Sequence, residues 1–172
     1  MKVREGRDTD AAKIGRLIAD TYRTYNLSHA DPDEQNRLLG PFQHAFSDAA
    51  EHRQAIREVV RSPMLYVAEI GEELVGVLRG RDHVLASLFV RGDHHRRGIG
   101  RALVERFERD SQQRGIEWVR VAATLFAVPF YQRLGYKRTT GVRPCHSFDG
   151  TDLQYQPMKK ILDPQILGFA SH

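Results

Sequence analysis

Apolar positions along the chain follow two periods, and the change between them divides the sequence. Residues 2–6 predict a short strand, and "RDTDAAKIGRLIADTYRTY" follows it. There Asp8 or Thr9 is placed to cap a helix, and Ile14, Leu17, Ile18, Tyr22 and Tyr25 recur at helical spacing on one face. "NLSHADPD" (26–33) is a turn-rich break. From Glu34 to Arg61 the helical period returns, interrupted at Gly40-Pro41, so two pieces are expected. Leu38, Leu39, Phe42 and Phe46 would face the core from the first piece, and Ile56, Val59 and Val60 from the second.

After Ser62-Pro63 the period shortens. "MLYVAEI" and "ELVGVLRG" flank a Gly-Glu-Glu turn and predict a hairpin. "HVLASLFV" (83–90) is apolar on both faces, which predicts a central strand. Ile99, Leu103 and Phe107 fall four apart and predict a helix that stops by Gly115. "IEWVRVAA" reads as another strand and "AVPFYQRL" as a short helix closed by Gly135. "YKRTTGV" and "TDLQYQPMKK" would form a final strand pair, joined through the loop "RPCHSFDGTD". The order β-α-α-β-β-β-α-β-α-β-β predicts one α+β domain around a central sheet over residues 1–160, with 161–172 as a C-terminal tail.

Composition narrows the class only a little. A chain of 172 residues can bury a real core. No apolar run approaches membrane-spanning length, the N-terminus lacks a signal peptide's apolar stretch, and the one cysteine, Cys145, cannot form an internal disulfide. A cytoplasmic protein with no membrane partner is the expectation, and a homodimer is compatible with it. The net charge of +4 is small and acids are interspersed with bases, so no basic stripe is visible and no nucleic-acid partner is expected.

One place departs from that evenness. "HHRRGIGRAL" (94–103) gathers His94, His95, Arg96, Arg97 and Arg101 with no carboxylate, at the turn between the central strand and an amphipathic helix. The first N–H groups of a helix lack internal partners and carry a partial positive charge. Gly98 and Gly100 remove the Cβ atoms that would hold an anion away, and the arginines add charge-assisted donors. A solvated basic helix start is the bland alternative. A Walker loop is excluded because no Gly-x4-Gly-Lys-Ser/Thr string occurs, and a Rossmann fingerprint because residue 103 is Leu.

Those residues also carry a resemblance. "LFVRGDHHRRGIGRALV" resembles the acetyl-CoA-binding segment of the GCN5-related N-acetyltransferase (GNAT) superfamily, and "AVPFYQRLGYKR" resembles its second signature, in the family's order and separation. The resemblance covers residues 1 to 160. It implies a GNAT-like fold: a mostly antiparallel central sheet with one splayed parallel strand pair and helices on both faces. It implies a strand at Leu88, Phe89 and Val90 that pairs with the pantetheine arm of acetyl-CoA. A pyrophosphate loop would run through His95, Arg96, Arg97, Gly98, Ile99, Gly100 and Arg101. Ala127, Phe130 and Tyr131 match the second motif, with Tyr131 as catalytic general acid. Two positions depart from the pattern: His95 stands where the family has Arg or Gln, and Thr124 where many members have an Asn that bonds pantetheine.

The activity so implied is N-acetyl transfer from acetyl-CoA, as donor substrate, to a primary amine of a small molecule or peptide, in a ternary complex. The runner-up is a non-catalytic acyl-CoA-binding module. An alkylammonium with pKa about 10.4 is only roughly one part in a thousand neutral at pH 7, so the amine needs a base, a water chain or desolvation. His83, Glu117, His146 and Asp149 are open candidates for that base. The leaving thiolate needs a proton, which Tyr131 can supply, and strand N–H groups at Phe89 or Val90 would stabilise the oxyanion. No His or Cys recurs at ligand spacing near the histidine pair, so no metal is expected, and Cys145 reads as a passive thiol. Tyr22, Tyr25 and Phe46 on one side and the 143–152 loop on the other would wall the acceptor site.

Overall fold

The computed structural model describes residues 1–147 and 150–163, with only the main chain for 145–147 and 150–153. The strands are β1 (Lys2–Glu5), β2 (Met64–Ile70), β3 (Glu73–Arg81), β4 (Val84–Val90), β5 (Trp118–Thr124), β6 (Lys137–Arg138), β7 (Arg143–Ser147) and β8 (Gly150–Ile161). The helices are α1 (Ala11–Tyr25), α2 (Pro32–Leu39), α3 (Ala50–Val60), α4 (Ile99–Gln113) and α5 (Val128–Arg133). The sheet runs β1-β2-β3-β4-β5-β8-β6, with β7 also paired to β8. Its one parallel pair is β4–β5, and the expected α+β class with a single parallel pair is what the chain adopts.

Two apolar clusters sit on opposite faces of the sheet. α4 and α5 cover one face, where Leu103 and Phe107 pack with Leu78, Val121 and Met158. The first three helices cover the other, where Ile14, Ile18 and Leu39 pack with Val67 and Val77. The break at Gly40-Pro41 is a 3-10 turn over Gly40–His44. α2 starts where Asp31 accepts the Glu34 N–H at 2.9 Å and Pro32 fills the first turn.

Three expectations need correcting. Phe46 does not face the core: it is 57% exposed beneath the Arg16 guanidinium, and Ala45 takes the inward position as the chain leaves the 3-10 turn. The predicted strand "YKRTTGV" pairs only at Lys137 and Arg138. The loop "RPCHSFDGTD" instead contains β7, which pairs with β8 from Arg143↔Tyr155 onward. Its Pro144 hides the strand from a propensity reading, yet proline is tolerated where a strand lies at a sheet edge. At the other end of β8, Leu162 is buried and its N–H bonds to the Glu117 carbonyl.

Candidate functional site

The site begins at a bulge. Arg79 faces Ser87 and Gly80 faces Leu85, which leaves Ala86 as an extra residue in β4. A bulge bends its strand and increases the local twist. Accordingly β4 and β5 pair only at Val84↔Arg120 and Leu85↔Val121 and then part. Leu88, Phe89 and Val90 lie on β4 beyond the last of these pairs, all half-buried.

Register decides what each of the three can offer. The Arg91 N–H bonds to the Val75 carbonyl, so Val90 and its partner Gly76 form a non-hydrogen-bonded pair. The N–H and C=O of Val90, and of Leu88 two residues back, therefore point away from β3 into the gap. Phe89 turns its main chain to Val77 in β3 and its ring edge-on to Tyr22, at 6.1 Å. The strand's backbone donors toward the gap are thus Leu88 and Val90, whereas the Phe89 N–H faces β3.

The N-terminus of α4 stands at the open end of the gap. Gly98 caps it in the left-handed region (φ 79°), with no side-chain cap and no acid in the first turn. Arg96 also has a positive φ, of 60°, uncommon for a side-chain-bearing residue. A Cβ on Gly98 would meet nothing within 4 Å, whereas one on Gly100 would sit 3.1 Å from the Phe130 ring. Gly98 therefore supplies the turn, while Gly100 supplies close packing between the two signature segments. Ile99 is buried, so only its main chain can face an anion.

Arg96 and Arg97 are exposed, and Arg101 lies 3.8 Å from Glu105 one turn along α4. Asp93, the nearest acid before the cradle, accepts from Arg91 at 2.7 and 2.9 Å and contacts His94 at 2.8 Å. Those bonds hold its carboxyl well below the usual carboxylate range. The His95 ring stacks against Tyr25 at 4.8 Å, with Nε2 2.8 Å from the Val90 carbonyl. Those contacts turn the His95 ring toward the end of β4 and toward α1.

Tyr131 is 5% exposed, edge-on to Phe130 and to Tyr136 at 5.0 and 5.4 Å. Burial pushes its phenol above the ordinary value, so it stays protonated across the physiological range. Among the described residues no hydrogen bond holds its hydroxyl. Thr124 ends β5 opposite Tyr155. Leu125 and Phe126, 45% and 63% exposed on the following 3-10 turn, add an apolar surface that sequence pattern had not distinguished from core.

Of the candidate bases, His83 and Glu117 are not gathered here. His83 leans on Trp118 at the start of β4, and Glu117 precedes β5. Each is seven residues upstream of the gap end of its strand, roughly 20 Å away. Asp149, and the side chains of Cys145 and His146, lie outside the described residues. Tyr22 and Tyr25 flank the gap through Phe89 and His95. Phe46 packs beside Arg16, nine residues back from Tyr25 and roughly 13 Å along α1, and is not part of that wall.

A mixed sheet whose one parallel pair opens beside an acid-free helix start capped by a left-handed glycine is the arrangement of an acyl-coenzyme A-dependent transferase fold. A family model described as an acetyltransferase (GNAT) domain matches residues 28–162, and the chain belongs to that family. Similar solved structures include a GCN5-related N-acetyltransferase from Rhodopseudomonas palustris, with TM-score 0.74, 18% identity and coverage of 94% of this chain and 95% of that one. The PaiA N-acetyltransferase of Thermoplasma acidophilum, solved with coenzyme A, gives TM-score 0.70 at 15% identity over 93% and 98%. The ribosomal-protein-S18-alanine N-acetyltransferase of Escherichia coli gives 0.62 at 15% over 99% and 98%. At these identities the likeness is one of fold.

Proposed function

We propose that this protein transfers the acetyl group of acetyl-CoA to a primary amine of a small molecule or peptide, by direct attack in a ternary complex. The observation that carries the reading is the gap itself, which exposes the Leu88 and Val90 main chain next to an acid-free helix start. That pattern suits a ligand with a pyrophosphate at one end and an amide-bearing arm at the other. In this reading the N–H groups of Gly98 to Arg101, with Arg96 and Arg97, hold the pyrophosphate. Leu88 and Val90 pair with the arm, and His95 fixes the Val90 carbonyl.

The chemistry then follows from charge. The neutral amine attacks the thioester carbon, the carbon–sulfur bond breaks, and the amine's surplus proton leaves to water. The Leu88 or Val90 N–H stabilises the oxyanion. Tyr131 gives its proton to the departing thiolate, which blocks reversal, and regains one from water. Desolvation in the cleft favours the neutral form of the incoming amine.

The test is Tyr131→Phe, which keeps the ring and its contacts. A kcat loss of around 10²-fold with acetyl-CoA affinity and Tm nearly unchanged is expected, measured by coenzyme A release and calorimetric titration. Full activity in the variant would assign the proton to another group. The near-complete burial of Tyr131 favours one competing reading, an acyl-CoA-binding module in which this tyrosine only packs. Coenzyme binding without turnover on any member of a broad amine and peptide panel would establish that reading instead.

A further inference from the structure

Where its two halves are still joined, the sheet carries a charge pattern that the acetyl-transfer chemistry does not use. Arg81 on β3 pairs with Val84 on β4, Val84 with Arg120 on β5, Arg120 with Lys159 on β8, and Lys159 with Lys137 on β6. Residues paired across strands share a face, so four cations and one valine form a single row spanning roughly 19 Å at about 4.8 Å per strand. Leu85, Val121 and Met158, the next residues along, are buried under α4, so the row lies on the opposite face, the one α1 shares.

None of the four makes an ion pair among the described residues, and Lys159 lies over the Trp118 ring at 4.2 Å. Like charges placed directly opposite one another destabilise a sheet, yet Arg120 faces Lys159 and Lys159 faces Lys137. Arg81, Arg120 and Lys137 are exposed, as are the neighbouring Ala122 and Ile161. No stripe is visible in the sequence because these residues come from four strands.

Resting on the proposed acetyl transfer, we infer that this row selects the acceptor: an acidic peptide whose carboxylates lie three to four residues beyond the amine that is acetylated. The row crosses β4 at Val84, four residues before Leu88 and roughly 12 Å from it. An extended chain covers that distance in three to four residues. The cations sit among exposed apolar side chains on the side of the sheet from which Tyr22 and Tyr25 border the gap, a mixture suited to a peptide. A nucleic acid would match the charge but carries no basic aliphatic amine for transfer.

Trp118 is the chain's one tryptophan, so it reports on this face without turnover. Acetylation kinetics and Trp118 emission are measured with a hexapeptide bearing Asp or Glu at positions 3–5, its Asn/Gln counterpart and a small alkylamine, for wild type and Arg120→Glu. The expected result is a KM about tenfold lower for the acidic peptide, rising with salt, and an emission change on binding. Arg120→Glu should abolish both differences while leaving kcat, acetyl-CoA affinity and turnover of the neutral peptide unchanged. Equal KM values for the two peptides, or a preference that survives Arg120→Glu, overturn the inference while leaving acetyl transfer standing. Single-stranded RNA that shifts Trp118 emission where the acidic peptide does not would also overturn it. Absence of turnover on all three acceptors with acetyl-CoA bound removes the transfer reading, and this inference with it.

Discussion

At Gly98 and Gly100 two glycines one residue apart answer to different forces. Gly98 holds a left-handed backbone in open space, so a side chain there meets strain but no neighbour. Gly100 has ordinary backbone freedom but a ring in the way of its missing Cβ. Gly98→Ala is therefore expected to cost about 1–2 kcal/mol of stability through backbone strain alone, with weaker acetyl-CoA binding as the N–H groups of the turn are displaced. Gly98→Asn, which tolerates the left-handed region, should recover most of both. Thermal melting and calorimetric titration of the two variants read the difference. Equal losses for Ala and Asn would show that backbone conformation is not what Gly98 contributes.

Among the elements, the tie between β1, the start of α1 and β2 is electrostatic. Arg4 on β1 bonds both oxygens of Asp10, at 2.8 and 2.9 Å, and also Glu69 on β2, while Asp10 accepts the Arg7 N–H at 2.7 Å. The Arg4 bond holds the Asp10 carboxyl below its ordinary value, and likewise that of Glu69. A depressed folded pKa contributes stability above the unfolded value of about 3.9, lost as pH falls through the folded value. Asp10→Asn should thus be less stable by about 1–3 kcal/mol at pH 7, and the gap to wild type should close below about pH 4. Urea melts at pH 7 and pH 3 check this; a gap independent of pH would mean the carboxylate's charge is not what matters. The bond that joins β1 to β2 was not legible in sequence, because Arg4 and Glu69 are 65 positions apart. The long elements were legible, since Ile14, Ile18, Leu103 and Phe107 each keep a helical face in the core. β7 was not, because pairing with β8 rather than local pattern makes it a strand. At the site, the Gly-rich helix start could be read from spacing. The turning of Phe89 away from the gap could not, since it depends on the register with β3.

Across the whole molecule, the sheet is two half-sheets joined by two residue pairs, Val84↔Arg120 and Leu85↔Val121. Helices reinforce the β1–β4 half on both faces, since α1 and α4 each pack on β3 and β4. β4 is therefore a central strand by position and a boundary strand by hydrogen bonding. Amide protons of Leu88 and Val90 should exchange with solvent within the time of a loop amide, while Phe89, bonded to β3, stays protected for as long as the global fold does. Such alternation within three consecutive residues is measurable by NMR-detected deuterium exchange. Acetyl-CoA should remove it by slowing Leu88 and Val90 alone. Strand groups that lack a strand partner also invite another chain to pair there. The unliganded protein should accordingly aggregate faster on storage than the liganded one, and the donor substrate would act as its solubilising agent.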